Sequence, residues 1–208
     1  MDGVSAVLLA AGAGSRFGGG KLLAPFDGKT LIEVTLDGLR EAPVDEIIVV
    51  AGKQAEELRS VCEPYGVRVV ENPDWREGMS TSVRAGLAAT KPDARAAVFL
   101  LADQPLVGSE AVARLVAAHE EGAEVVVATY EGAPRNPVLF PREVWPLVVR
   151  ELSGDTGARG FIRRHPGLVT EAPCDGVADP ADVDTVEDLG YIEERVAGGA
   201  APVRRRSQ

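Results

Sequence analysis

The sequence predicts an α/β domain whose mostly parallel sheet carries helices on both faces. Two observations carry that expectation. Short apolar runs rich in β-branched residues recur at 6–10, 46–50, 67–71, 96–102 and 125–130, and most are separated by longer stretches with apolar residues at helical spacing. The runs are apolar nearly throughout, as strands buried on both faces are, and alternation of strand with helix implies parallel pairing.

In chain order, the run 6–10 enters a glycine-rich loop. Leu31, Val34, Leu36 and Leu39 then mark a helix, and the run 46–50 ends at Ala51-Gly52-Lys53. The run 67–71 leads into Asn72-Pro73 and a helix carrying Val83, Leu87 and Ala88. The run 96–102 closes on Asp103, and Val112, Leu115 and Val116 mark the next helix. The second half is less regular: a short strand over 137–140, helices over 142–152 and 158–164, and a last helix over 185–196. Asp184 or Thr185 is expected to cap that helix, with Glu187 and Asp188 in its first turn. One domain is expected over 1–196. A small-residue tail over 197–208, ending in Arg204-Arg205-Arg206, is expected to be disordered and solvated.

Composition narrows the classes. A chain of 208 residues is long enough for one domain with a sizeable core. A formal charge of −10 argues against a nucleic-acid partner, so any phosphate must be held by a few local cations. No apolar run approaches the ~18 residues of a membrane span. Met1-Asp2-Gly3 lacks the basic start of a signal peptide. Cys62 and Cys174, without metal-like spacing, read as buried thiols. The expected location is the cytoplasm, with neither membrane nor nucleic acid as partner.

The segment from Leu9 through Gly12, Gly14, Ser15 and Arg16 to Lys21 carries the chemistry. Glycines let backbone N–H groups approach an anion closely, and Arg16 and Lys21 add charge to the same loop. This is a phosphate-holding arrangement. It is not a P-loop, since Ser15 stands where the first glycine is required and Leu22 where the metal-binding hydroxyl is required. It is not a dinucleotide fingerprint, since Phe17 replaces the third glycine and no ribose-binding acid follows Val50.

Ligands of such sheets bind at the carboxyl ends of the strands. That rule gathers the Gly12 loop, the Gly52 loop, Asn72-Pro73 and Asp103 into one neighbourhood. Asp103, ending a buried strand beside a phosphate loop, reads as a magnesium ligand. Asp182 and Asp184, on one face of an extended segment, are candidates to complete the metal site. Gly78 followed by Ser80, Thr81 and Ser82 opens a helix with polar groups that cap it or bind a base or phosphate.

These segments resemble the molybdopterin nucleotidyltransferases, the molybdenum cofactor cytidylyltransferase branch above all. The match runs through Leu9-Ala10-Ala11-Gly12 to Arg16 and Lys21, Asn72-Pro73, Gly78-Met79-Ser80-Thr81-Ser82 and Ala102-Asp103-Gln104-Pro105. It continues in Pro137-Val138-Leu139-Phe140, Gly154-Asp155-Thr156-Gly157-Ala158-Arg159 and Asp184-Thr185-Val186-Glu187-Asp188-Leu189. The resemblance implies a three-layer α/β/α Rossmann-like fold, with Ala10, Ala11 and Gly12 on the base and Arg16 and Lys21 on the triphosphate. It implies magnesium on Asp103, supported by Asp184 or Asp182. Leu9, Gly14, Ser15, Asn72, Gly78, Ser80, Thr81 and Ser82 complete the expected nucleotide contacts, and Arg135, Asn136, Pro137, Asp155 and Arg159 are expected toward the acceptor.

Ala11 in the loop favours CTP over GTP by the same resemblance. The implied activity is transfer of CMP to the terminal phosphate of molybdenum-loaded molybdopterin, in transient contact with a molybdenum hydroxylase or its maturation chaperone. The alternatives are a molybdopterin guanylyltransferase or an enzyme acting on a sugar, polyol or phospholactate-type phosphate. One departure bears on the acceptor: the family usually carries Gly-His-Pro where this chain has Arg135-Asn136-Pro137. His119 and His165, outside every motif, are expected at the surface.

Overall fold

The computed structural model of the chain describes residues 3–12, 14–26 and 28–197. The expected tail lies, from 198 on, outside the described residues. Strand β1 (Val4–Ala10) enters the glycine-rich loop, which contains 3-10 turns at Ser15–Phe17 and Lys21–Leu23. A small hairpin, β2 (Pro25–Phe26) and β3 (Lys29–Thr30), precedes α1 (Leu31–Gly38). Then come β4 (Glu46–Ala51), α2 (Ala55–Cys62), β5 (Arg68–Glu71), α3 (Met79–Ala89), β6 (Ala96–Leu101) and α4 (Ser109–Glu120). The second half adds β7 (Val125–Tyr130), β8 (Ala133–Pro141), α5 (Trp145–Glu151), α6 (Gly157–Arg164), β9 (Val169–Pro173) and α7 (Val186–Ala197).

The main sheet has seven strands in the order β5-β4-β1-β6-β8-β7-β9. Only β8 runs against its neighbours β6 and β7; the other pairings are parallel. Successive side chains of a strand point to opposite faces, and β1 shows the consequence. Ala6 and Leu8 pack under α1, α2, α4 and α7 through Leu31, Leu58, Leu115 and Ile192. Val7 faces the other layer, against Val83 of α3, Trp145 of α5 and Phe161 of α6. That is the expected three-layer α/β/α arrangement. In the second layer Phe140 meets Phe99 and Phe161 edge-on, with ring centroids 6.0 and 5.4 Å apart.

Register places the site. Leu9 lies opposite both Val50 and Leu101, so β1, β4 and β6 end level and their following loops emerge side by side. The chain builds outward from β1 through β4 to β5, then crosses to β6 on the other side of β1. Such a reversal of strand order opens a crevice at the carboxyl ends.

One expectation needs correction, and one strand had no expectation at all. The short strand over 137–140 is a nine-residue strand, Ala133–Pro141, despite Pro134, Pro137 and Pro141. Proline supplies no N–H to a ladder. The register against β7 jumps from Val127↔Val138 to Ala128↔Arg135, so Asn136 and Pro137 fall where pairing is already interrupted. Strand β9 carries no long apolar run because it lies at the sheet edge, with only Ala172 buried.

Gly86 on α3 lies against Val7, and a Cβ there would collide with the valine methyl. Gly86→Ala is therefore expected to destabilise the protein by about 1–3 kcal/mol, although alanine is the better helix former. Urea unfolding measures this, and a variant as stable as the parent would contradict the packing account.

Candidate functional site

The crevice is a cavity of about 550 Å³ walled by the carboxyl ends of β1 and β6, the glycine loop and the start of α3. Leu9, Ala10, Ala11, Gly12, Gly14 and Lys21 line it from one side. Gly18, Gly19 and Gly20 hold φ of 88°, 94° and 67°, a left-handed run that side chains resist. This turn delivers Lys21 across the cavity head. Leu22, 8% exposed, anchors the turn in the core.

Lys21 Nζ lies 2.6 Å from Asp103 Oδ2 and 3.6 Å from Asp184 Oδ1. Arg16, largely exposed, pairs with the other oxygen of Asp184 at 2.8 Å. The structure thus brings together the two expected phosphate cations and two of the three expected metal carboxylates.

The segment carrying those late acids is pinned to β6. The Val183 N–H donates to the Asp103 carbonyl at 2.9 Å. The Gln104 amide donates to Asp182 Oδ1 at 2.8 Å and to the Pro180 carbonyl at 3.1 Å. Helix α7 is capped by Thr185, not Asp184: the Thr185 hydroxyl accepts from the Asp188 N–H, and Asp188 accepts from Asp184 and Thr185 N–H groups. Capping by Thr185 leaves the Asp184 carboxylate to Arg16 and Lys21. Asp182 differs from its neighbours. The residue as a whole is exposed, but its carboxyl is turned in against Gln104, and that local burial, then the charge of Asp103, push its pKa up.

A hard divalent cation takes few protein carboxylates and completes its shell with phosphate and water oxygens. Among the described residues no group of three or more His, Cys, Asp or Glu converges as a metal site. Asp103 and Asp184, both aimed at one cationic atom, are oxygen donors of the right kind and number for such an ion.

The polar start of α3 is not an open anion site. Its Met79 N–H donates to Asp155 Oδ1 at 3.2 Å and its Ser80 N–H to the Gly154 carbonyl at 3.0 Å. Gly78 has a φ of 108°, and a Cβ there would sit 2.5 Å from the Gly154 carbonyl carbon. The hydroxyls are engaged too. Asn72, itself buried, donates to Thr81 at 2.8 Å and Ser82 at 3.0 Å, and Arg84 donates to Ser80 at 3.4 Å. Of these residues Gly78 and Ser82 line the cavity, whereas Asn72, Ser80 and Thr81 brace its wall.

Asp155 also lines the cavity, while Arg159 is exposed on α6 outside it. Arg135, Asn136 and Pro137 lie at the same end of the sheet, beyond the Phe99↔Val138 pair, but outside the cavity wall. Ser15 opens the 3-10 turn that Arg16 continues. His165, expected at the surface, is half-buried, its ring tilted 37° against Phe161 with centroids 4.6 Å apart, and lies 2.8 Å from Glu151. Cys62 and Cys174 are buried and free.

Sequence reasoning gave no site role to Trp75, Arg76, Gln54 or Met79, all in the wall. A Cβ at Gly52 would sit 2.8 Å from the Trp75 ring and 3.0 Å from the Ala11 carbonyl, so glycine lets the indole reach the loop after β1. The Arg76 guanidinium lies 4.5 Å from that ring's centroid. A large aromatic just past a strand's carboxyl end was the available signal.

A glycine-rich loop with a lysine, beside a carboxylate at such a crevice, is an arrangement that suits a nucleotidyltransferase. The chain belongs to the MobA-like NTP transferase family, whose domain matches residues 6–169. It is 38% identical to nicotine blue oxidoreductase of Paenarthrobacter nicotinovorans, over 89% of this chain and 94% of that protein. It is 29% identical to purine catabolism protein PucB of Bacillus subtilis, over 92% and 96%. It is 25% identical to molybdenum cofactor cytidylyltransferase of Escherichia coli, over 68% and 72%. The Rv0371c homologue from Mycobacterium sp. strain JC1 superposes with a TM-score of 0.81 at 32% identity, covering 94% of this chain and 97% of that one. Rv0371c of Mycobacterium tuberculosis, solved in complex with manganese, gives 0.77 at 32% identity, covering 93% and 99%. No helix among the described residues is long and apolar enough to cross a membrane.

Asp155→Ala removes an acceptor from the start of α3 and is expected to cost about 1 kcal/mol, with Asp155→Asn costing less. Thermal unfolding of the two variants checks the order. For Asp182 the sign is opposite. Its raised pKa means that the folded protein holds the proton more tightly, so the penalty is absent below the usual carboxylate range and complete above the folded value. Asp182→Asn, which keeps the acceptor for Gln104, should raise Tm at pH 7, and the gain should vanish as pH falls below that range.

Proposed function

We propose that the protein is a metal-dependent cytidylyltransferase that transfers CMP from CTP to the terminal phosphate of molybdenum-loaded molybdopterin. The carrying observation is the Lys21–Asp103 pair, at 2.6 Å, on the wall of a cavity lined by Leu9, Ala10, Ala11 and Gly12. Phosphoryl chemistry needs a cation for the triphosphate and a carboxylate for its metal at one point, and this pair supplies both. The Ala11 loop and the likeness to the Escherichia coli cytidylyltransferase support CTP and a pterin acceptor. In this reading residues 1–196 act as one cytoplasmic domain, and the product passes to a molybdenum hydroxylase or its chaperone.

The acceptor phosphate attacks the α-phosphorus in line. A phosphorus–oxygen bond forms on one side, the bond to the β-phosphate breaks on the other, and pyrophosphate leaves. The nucleophile is already an anion at neutral pH, so no side-chain base is required. Leu9, Ala10, Ala11, Gly12, Gly14, Ser15, Gly78 and Ser82 hold the nucleotide, on a wall braced by Asn72, Ser80 and Thr81. Lys21 and Arg16 offset charge building on the leaving pyrophosphate. Asp103, with Asp184 and then Asp182 as supports, would hold magnesium, which supplies further charge neutralisation at the reacting phosphate. Asp155 faces the acceptor from within the cavity, with Arg135, Asn136, Pro137 and Arg159 farther along the same end.

The 38% identity to an oxidoreductase favours a second reading, in which the cavity holds a redox substrate. Against it, the segment after β4 reads Ala51-Gly52-Lys53, with no acid for a dinucleotide ribose.

Pyrophosphate release with magnesium and each of CTP, GTP, UTP and ATP, with and without loaded molybdopterin, tests the proposal. Pterin-dependent release from CTP is expected, and Lys21→Ala and Asp103→Ala should each lower kcat/KM by about 10²–10³-fold. Near-normal turnover of either variant would overturn the assignment. Release from GTP alone would move the nucleotide. Oxidation of a reduced nicotinamide without pyrophosphate release would favour the second reading.

A further inference from the structure

We propose that Lys21 locks the metal-binding carboxylates in the free protein and that the triphosphate of the nucleotide is the key, so that metal and nucleotide bind as mutually dependent partners. The proposal rests on the nucleotidyltransferase reading for the identity of its two ligands.

Four side chains form one chain of ion pairs: Asp103 to Lys21 at 2.6 Å, Lys21 to Asp184 at 3.6 Å, and Asp184 to Arg16 at 2.8 Å. Two carboxylates and two cations cancel in formal charge. The inner pair is poorly screened, since the Lys21 and Asp103 side chains are only 12% and 25% exposed.

A divalent cation arriving alone has to enter where the Lys21 ammonium already sits. It meets a like charge at contact distance and carboxylates that are already neutralised. A triphosphate arriving alone has to draw Lys21 and Arg16 away, leaving Asp103 a largely buried carboxylate with no cation. Each ligand by itself unbalances the cluster. Arriving together they exchange partners: the cations go to the phosphates and the carboxylates to the metal, so every buried charge stays paired.

The exchange requires little backbone movement. Leu22 is buried and fixes the turn behind Lys21, while the lysine stem has rotatable bonds enough to swing. Linkage makes the effect reciprocal: whatever factor CTP contributes to metal affinity, the metal contributes to CTP affinity.

Manganese ion, followed by the electron paramagnetic resonance of its free form, reads the lock without turnover. The wild type should bind Mn²⁺ weakly, and saturating CTP without acceptor should tighten binding by about tenfold or more. Lys21→Met should bind Mn²⁺ about tenfold more tightly than the wild type in the absence of nucleotide and gain less from CTP. Lys21→Arg, which keeps the charge, should stay weak, and Asp103→Asn in the Lys21→Met background should abolish the gain. Lys21→Gln is the second neutral form, should the methionine form not fold.

Equal or weaker Mn²⁺ binding by the neutral forms overturns the lock, as does CTP binding that leaves Mn²⁺ affinity unchanged. If CTP binds no form while the neutral variants still gain Mn²⁺ affinity, the lock holds at these carboxylates and the nucleotide reading fails.

Discussion

The bridge from Lys21 to Asp103 and Asp184 is the contact on which the arrangement of the site depends. It joins three stretches of chain far apart in sequence: the loop after β1, the end of β6 and the lead into α7. Each arrives by a different backbone device. A left-handed glycine run aims Lys21, the turn just past buried strand β6 presents Asp103, and hydrogen bonds from Val183 and Gln104 hold the late acids against that turn. A charge pair this close, with most of both side chains out of water, contributes little net stability after its desolvation cost. What it fixes is position.

The rest of the fold supports that position. Level ends of β1, β4 and β6 follow from burial on both faces, because a one-residue slip would turn Val7 or Leu8 into the wrong layer. The wall opposite the glycine loop is held by the 154–155 loop, which satisfies the first N–H groups of α3. That loop leaves no phosphate site at the helix start, and it places the Asp155 carboxylate in the wall. The cavity wall therefore carries Lys21 paired with Asp103 on one side, and Arg76 with Asp155 on the other.

Much of this was legible in the sequence. Apolar runs of strand length gave the layers, since parallel strands have no polar face to obscure the pattern. Lys21 and Asp103 stood out because a charge that interrupts glycines, or ends an apolar strand, has no packing reason to be there. The strand carrying Pro134, Pro137 and Pro141 was legible only in part, because its interruption depends on a register against β7 that no local pattern encodes. The edge strand β9 lacked the burial that makes a strand visible. The duties of Ser80 and Thr81 were ambiguous for a related reason: a hydroxyl beside a helix start looks the same whether a ligand or Asn72 and Arg84 will satisfy it. Trp75 needed a tertiary fact, the approach of its ring to Gly52.

Relatives with different printed activities align with this chain, so the discrimination has to come from the site. Hydride transfer moves no phosphate, so the lysine and two carboxylates held at contact distance would need another role in it. Nucleotidyl transfer has a use for each of them, since the substrate brings its own negative charge and its own metal. A balanced cluster that can open into two complementary halves, one cationic and one anionic, is what such a substrate requires. Arg16, Lys21, Asp103 and Asp184 form one connected chain of charges, and it is this arrangement, not the identity to any single relative, that supports phosphoryl chemistry.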